Sequence, residues 1–338
     1  MRGNAPEIVI SDADPLGTNH ILKDVISSWD RLKSLEVSDT LLTTSSLAHL
    51  AQLPNLEALS AGLSPDIEFS SLNFPLRVFP ALRQLRVTCN SVLMVQALLK
   101  ISPLRALRYL EVITGGHVDC ERIIKSFFTL MQTQLSNLLQ MSLYNFDAPS
   151  AADNHSLNLS TLAPLFSFVG LKVLRIDTPH TFDLGNEDLR IMAESWPNLF
   201  LLFLGVHGWG HPSKITPSGL VPLLNRCSKL LCLSLAIDAS VVDIKLDEAI
   251  FTRPNIRLRY LCLQDSRLEN PQVMAAFLSD MISDTTTLIA WGESGKRGLE
   301  HISQAEAKVF EKRWKEAALA TNLFFHVRKQ ERLRAKIY

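Results

Sequence analysis

The chain has 338 residues, 47% of them apolar, with 34 basic residues against 34 acidic ones and a mean hydropathy of +0.12. That composition supports a large core and argues against a mostly disordered chain, and the even charge argues against nucleic acid as a main partner. Apolar runs such as 199–206 are far shorter than the roughly 20 residues of a membrane-spanning helix. The opening "MRGNAPEIVISDADPLG" has acids and prolines where a secretory signal is continuously apolar, so the expected location is cytoplasmic or nuclear, with no membrane partner.

In chain order, residues 1–31 read as an N-terminal cap, with a covering helix over Asn19–Trp29. From Leu32 a repeat begins. The segments "LKSLEV" (Leu32), "LEALSA" (Leu56), "LRQLRV" (Leu82), "LRYLEV" (Leu107), "LLQMSL" (Leu138), "LKVLRI" (Leu171), "LFLLFL" (Leu199), "LLCLSL" (Leu230) and "LRYLCL" (Leu258) all fit L-x-x-L-x-L, and a weaker tenth copy is placed at Leu288 ("LIAWGE"). Successive first leucines lie 24, 26, 25, 31, 33, 28, 31, 28 and 30 residues apart. Apolar positions two apart fit one face of a strand, and a bounded period of this length is the mark of a stacked array. Between copies, 91–101, 120–131, 186–196 and 270–282 have apolar residues at three- and four-residue spacing, which predicts helices. Ser91, Asn186 and Asn270 stand at helix starts, the last followed by Pro271.

The repeat array is assigned to 32–302, as about ten irregular copies, and 303–338 to a C-terminal cap. In that cap, Ser303 and Glu306 form a capping box opening a helix to about Leu319, Leu323–Val327 ("LFFHV") reads as a final strand, and the rest is a basic tail. The five cysteines are odd in number and contain no CxxC pair, so neither a disulfide framework nor a zinc site is indicated.

These segments resemble leucine-rich repeats, and "LPNLEAL", "FPALRQLRV" and "WPNLFLLFL" resemble the repeat region of fungal F-box/leucine-rich-repeat proteins. The resemblance covers about residues 19–300. It implies an α/β solenoid, a horseshoe with a parallel concave sheet and convex helices. It also implies an intracellular protein–protein interaction module that recognises substrates as a ubiquitin ligase adaptor of the Skp1–cullin type. Skp1 would then be a partner, although residues 1–30 show no Leu-Pro-x-Glu-like F-box opening. The alternative is a scaffold or regulatory binding protein with no ligase link.

If the leucines face inward, the residues between them face the concave side, including Ser142, Ser234, Ala236 and Gln264. The expected protein-binding residues are Arg86, Tyr109, Glu111, Tyr144, Val173, Arg175, Asp177, Leu201, Phe203 and Tyr260, with Trp209 at the rim, where it either folds back over the loop or extends the patch that Phe203 begins. Aromatic anchors among charges are what a protein-binding patch contains. Leu201 and Phe203 are either open or covered by another part of the chain.

No catalytic constellation stands out. "WGESGKRG" (291–298) has Ala290 where a phosphate loop needs its first Gly and Arg297 where it needs Ser or Thr, so it reads as a surface turn. His117, His180, His207 and His211 all follow strands, but loops of unequal length do not predict three ligands converging on a metal. In "HGWGH", His207 takes the place of a loop Asn and is expected to bond loop backbone, while Gly208, Gly210 and Pro212 exclude a helical metal pair. The reading is therefore a non-enzymatic protein with no cofactor and no metal.

Overall fold

Gln84–Cys89 shows how the repeat becomes structure. Leu85, Val87 and Cys89 are buried and Gln84, Arg86 and Thr88 are exposed, so the period of two in the sequence is a period of two in burial. The computed structural model describes residues 7–10, 31–71, 78–102, 104–116, 118–145, 147, 156–243 and 255–334. The chain divides into two units, residues 1–153 with 160–168 and residues 154–159 with 169–338.

Unit 1 holds a parallel sheet in chain order. Its strands are β1 (Glu7–Ile10), β2 (Ser34–Leu42), β3 (Ala58–Leu63), β4 (Gln84–Cys89), β5 (Tyr109–Thr114) and β6 (Gln140–Asn145). Parallel neighbours need a crossover, and α1 (Thr44–Leu50), α2 (Val92–Ile101) and α3 (Glu121–Gln134) supply three of them. Ser34, Ala58, Gln84, Tyr109 and Gln140 stand side by side, the same position of five successive copies. β1 lies inside the segment read as a cap without strands, and the expected helix over 19–29 falls outside the described residues.

Unit 2 repeats the plan. Its strands are β7 (Ser156–Asn158), β8 (Val173–Asp177), β9 (Thr181–Asp183), β10 (Leu201–Leu204), β11 (Cys232–Ser234), β12 (Asp238–Ala239), β13 (Tyr260–Cys262), β14 (Arg267–Leu268) and β15 (Thr287–Ile289). The main sheet runs β8, β10, β11, β13, β15, all parallel, and β7 with β9 and β12 with β14 form two-stranded parallel sheets. Its helices are α4 (Asn186–Ser195), α5 (Leu220–Arg226), α6 (Pro271–Met281) and α7 (Gln304–Arg334). Each unit is thus α/β, a parallel sheet flanked by helices.

Two layers of contacts join each coil to the next. All nine first leucines, Leu32 to Leu258, have 0% exposure. The residue three before the first leucine is buried as well, and it changes identity: Leu53, Phe79, Leu104, Leu135, Phe168, Trp196, Cys227 and Asn255. Asn255 is tolerated there because its Nδ2 donates to the carbonyls of Leu224 and Cys227, both at 3.3 Å. The backbone adds a fork. At seven strands the carbonyl just before the strand accepts two N–H groups from the next coil, as Glu57 O does from Arg83 N (2.8 Å) and Gln84 N (3.0 Å). The same fork occurs at Lys33, Arg83, Arg108, Lys172, Phe200 and Leu231.

Helix starts follow the sequence in two of three cases. Ser91 accepts from Leu93 N, and Asn270 accepts from Val273 N ahead of Pro271. At α4 the cap is Gly185 instead, whose N–H donates to Asp188 Oδ2. Asn186 is drawn to the next coil, accepting from Thr216 N and donating to Thr216 Oγ1 and Ser218 Oγ. Two placements are corrected. Ile289 pairs with Cys262 and Leu288 with Leu261, so the tenth copy starts at Thr285, three residues before Leu288. The expected strand Leu323–Val327 and the described part of the basic tail are helix: α7 runs unbroken from Gln304 to Arg334, opened by Ser303, whose Oγ accepts from Glu306 N. α7 packs on α6, with Arg328 donating to Asp280 and to the carbonyl of Ala276.

Leu202, fully buried on β10, is expected to cost about 2–5 kcal/mol when cut to Ala, and Asn270→Ala about 1 kcal/mol. Urea unfolding measures both, and equal losses would contradict the assigned roles.

Candidate protein-binding surface

The free face of the main sheet in unit 2 carries two rows of side chains. Register aligns Val173, Leu201, Cys232, Tyr260 and Thr287 in one row and Arg175, Phe203, Ser234, Cys262 and Ile289 in the next. Tyr260 is 54% exposed and Ile289 43%, while Val173, Leu201, Phe203, Cys232 and Cys262 are half-buried. Arg175 lays its guanidinium 4.4 Å from the centroid of the Phe203 ring, a cation–π contact that fixes both side chains. The result is an apolar stripe with one cation stacked on it. Leu201 and Phe203 are therefore neither freely open nor fully covered.

Ile289 was missed as a member of this stripe, because the misplaced tenth copy hid it. Cys232 and Cys262 lie on this face as half-buried thiols. Cys232 and Cys262 sit on adjacent strands but two positions out of register, since Cys232 pairs with Tyr260. Burial pushes the Cys232 thiol up, and pushes those of Cys89 and Cys227 up to about 12. None of these three has thiolate character.

On the free face of unit 1, Arg86 and Glu111 form an ion pair at 3.0 Å, Tyr109 is 40% exposed and Tyr144 is half-buried. These neighbours are small and polar, among them Ser60 and Gln84. Of the residues expected outward, Ser142, Ser234, Ala236 and Gln264 are buried. Gln264 has left the strand geometry, with φ of +43°, and its amide donates to the carbonyls of Leu204 and Gly205 and to Ser234 Oγ.

Of the two readings of Trp209, the structure has the first: it folds back over the loop and is fully buried, so it does not extend the patch. Its indole donates to Leu204 O at 2.7 Å and its ring lies 5.2 Å from that of Phe182. The carboxylate of Asp265 takes the N–H groups of Trp209 (2.9 Å) and Gly210 (2.7 Å). Gly208 must be glycine: its φ is +102° and a Cβ would stand 2.7 Å from the Asp265 carboxyl carbon. "WGESGKRG" is also corrected. Gly292–Glu300 is a 3-10 helix with Trp291, Gly295 and Gly298 buried, rather than a surface turn.

Arg297 ties this helix to the loops, its backbone N–H donating to His207 O (2.8 Å) and its guanidinium to His180 O (3.0 Å). His207 Nδ1 meets backbone as expected, but that of Glu293, 86 residues away, at 3.2 Å. Asp177 lies at the same edge, half-buried. Burial raises its carboxyl, against the opposing pull of His207, the Val206 N–H, Arg175 and Arg297. His180 Nδ1 meets Thr178 Oγ1 and His211 Nδ1 meets Pro212 O, while His117 lies outside the described residues. Among the described residues, no three His, Cys, Asp or Glu side chains group as a metal site would need. No described helix is long and apolar enough to cross a membrane.

No protein-family model matches this chain, and no curated protein matches it significantly in sequence. The chemistry of the surface therefore rests on its own residues.

Burial outweighs the two N–H bonds at Asp265 and raises its carboxyl above the ordinary value. The native state then holds that proton more firmly than the unfolded chain does. Its contribution is fully present below about pH 3.9 and is lost as pH rises through the raised folded value. In Asp265→Asn that loss is absent. Urea unfolding at several pH values should show the variant gaining on the parent protein as pH rises, and a constant gap would refute the assignment.

Proposed function

We propose that this chain is a non-enzymatic leucine-rich-repeat protein whose partner protein docks on the free face of the unit 2 sheet. The observation that carries the reading is the stripe of Leu201, Phe203, Tyr260 and Ile289 with Arg175 stacked on Phe203. Large apolar side chains on a solvent-side sheet face, edged by a cation, have the composition of a recognition patch. The repeat class is supported by nine first leucines at 0% exposure and by register that keeps the copies aligned within each unit.

Within that reading we take the chain as an F-box-like substrate receptor of a Skp1–cullin-type ubiquitin ligase. The quoted Pro-x-Leu repeat openings are its support. A scaffold or regulatory protein without a ligase link is the alternative, and Skp1 retained on the purified full chain separates the two.

Phe203→Ala removes the platform under Arg175 but leaves Leu202 and Leu204 buried. It should weaken a co-purifying partner by about 2 kcal/mol or more, a hot-spot loss, and cost less stability than Leu202→Ala. Partner titration and urea unfolding read the two effects. An unchanged partner affinity, or unfolding as severe as in Leu202→Ala, would sink the assignment.

A further inference from the structure

The helices of unit 1 carry a second feature that the sheet face does not explain. A groove of about 440 Å³ runs between α2 and α3, with Lys100 on one side and Arg122 and Lys125 on the other. Ser126, Thr129 and Thr133 continue the α3 side, so positions 122, 126, 129 and 133 form one ridge of the helix. Half-buried Leu130 adds an apolar patch. Thr129 donates to Lys125 O and Thr133 to Leu130 O, so those hydroxyl protons are held by the helix itself.

Lys100, in the last turn of α2, suits the helix dipole, but the two cations of α3 do not. A helix N-terminus favours acids, yet Arg122 stands in the first turn of α3 and Lys125 in the second. The nearby carboxylates face elsewhere. Glu121 accepts from Thr161 Oγ1, and Asp119 accepts from Ser91 Oγ and Val92 N. Lys125 donates to Ser160 Oγ at 3.1 Å, which leaves two of its three N–H groups. Among the described residues no carboxylate pairs with Lys100, Arg122 or Lys125. Elsewhere Arg190 pairs with Glu187 and Glu194, and Lys315 with Glu311, whereas Lys308 and Lys329 on α7 have no such pair among the described residues.

We propose that the groove between α2 and α3 is a docking site for an acidic peptide segment of a protein partner, with Asp or Glu side chains meeting Lys100, Arg122 and Lys125. Two cations on α3 and one on α2 face a groove that follows α3, a helix about 21 Å long, and that length suits an extended segment of roughly six residues. No aromatic side chain lines the groove. Single-stranded nucleic acid, which binds by base stacking along a longer basic track, is therefore the poorer fit. The site lies within unit 1 and does not depend on the stripe of unit 2.

The test is fluorescence anisotropy of the full chain with a short labelled peptide of alternating Glu and Ala, its Gln counterpart, and a short oligothymidylate. The Glu peptide should bind, more weakly at about 200 mM than at about 50 mM salt. Arg122→Glu with Lys125→Glu, and separately Lys100→Glu on the facing helix, should each weaken it at least about tenfold. Arg259→Glu in unit 2 and Phe203→Ala should leave it unchanged, so loss of the sheet-face reading would not remove this one. The proposal is overturned by no binding up to about 1 mM, by equal binding of the Gln peptide, by affinity indifferent to the charge reversals, or by tighter oligothymidylate binding lost in those same variants.

Discussion

A short strand with alternating leucines has one oily face and nothing in its own coil broad enough to cover it. The cover comes from the coils on either side, which is why a first leucine reaches 0% exposure at all nine copies. The shared carbonyl supplies what hydrophobic contact cannot, a fixed register. Where Lys172 O accepts from both Phe200 N and Leu201 N, the next strand can start at one residue and no other. Slipping by one would turn every leucine to solvent. The side chains make stacking favourable, and the forked carbonyl makes it unambiguous.

The same constraint separates fold from recognition. The inward positions are held to leucine-like residues, whereas the outward ones hold Ala58, Gln84, Tyr109, Val173, Leu201, Cys232 and Tyr260 at equivalent places. A face whose residues the fold does not dictate is free to be shaped by a partner. That freedom ends at the strand termini of unit 2, where Asp265, Arg297 and the indoles of Trp291 and Trp314, both donating to Ser266 O, knit the loops to the last elements. Asp265 sits there at a cost. Its desolvation exceeds the help of the Trp209 and Gly210 N–H groups, and the loop is ordered because of it.

Much of this was legible in the sequence, and the misses share a cause. Leucine spacing placed the strands and their faces, and Ser91 and Asn270 marked their helices. The second buried position, three before each first leucine, stayed hidden because it ranges from Trp196 to Asn255, and only neighbouring coils show why each fits. Thr285 in a leucine position displaced the tenth copy. "LFFHV" is apolar for five residues, too short for its period to separate strand from helix. The helix formers around it and the reach of Arg328 to α6 decided the matter. The placement of Trp209 stayed open because burial of a loop aromatic depends on partners far off in sequence, here Asp265 and Phe182.

The two proposed surfaces rest on different departures from local rules. On the unit 2 sheet the departure is hydrophobic: Tyr260 and Ile289 keep about half of their surface in water where strands of this kind carry polar residues. On the helices of unit 1 it is electrostatic: Arg122 opposes the dipole of α3, and among the described residues no carboxylate pairs with it. Neither departure stabilises the fold. A residue placed against local preference, with nothing around it in the chain to offset the cost, points to a requirement outside the chain. An apolar stripe and a cationic groove call for chemically distinct contacts, so one partner reaching both surfaces would need an apolar element and an acidic one.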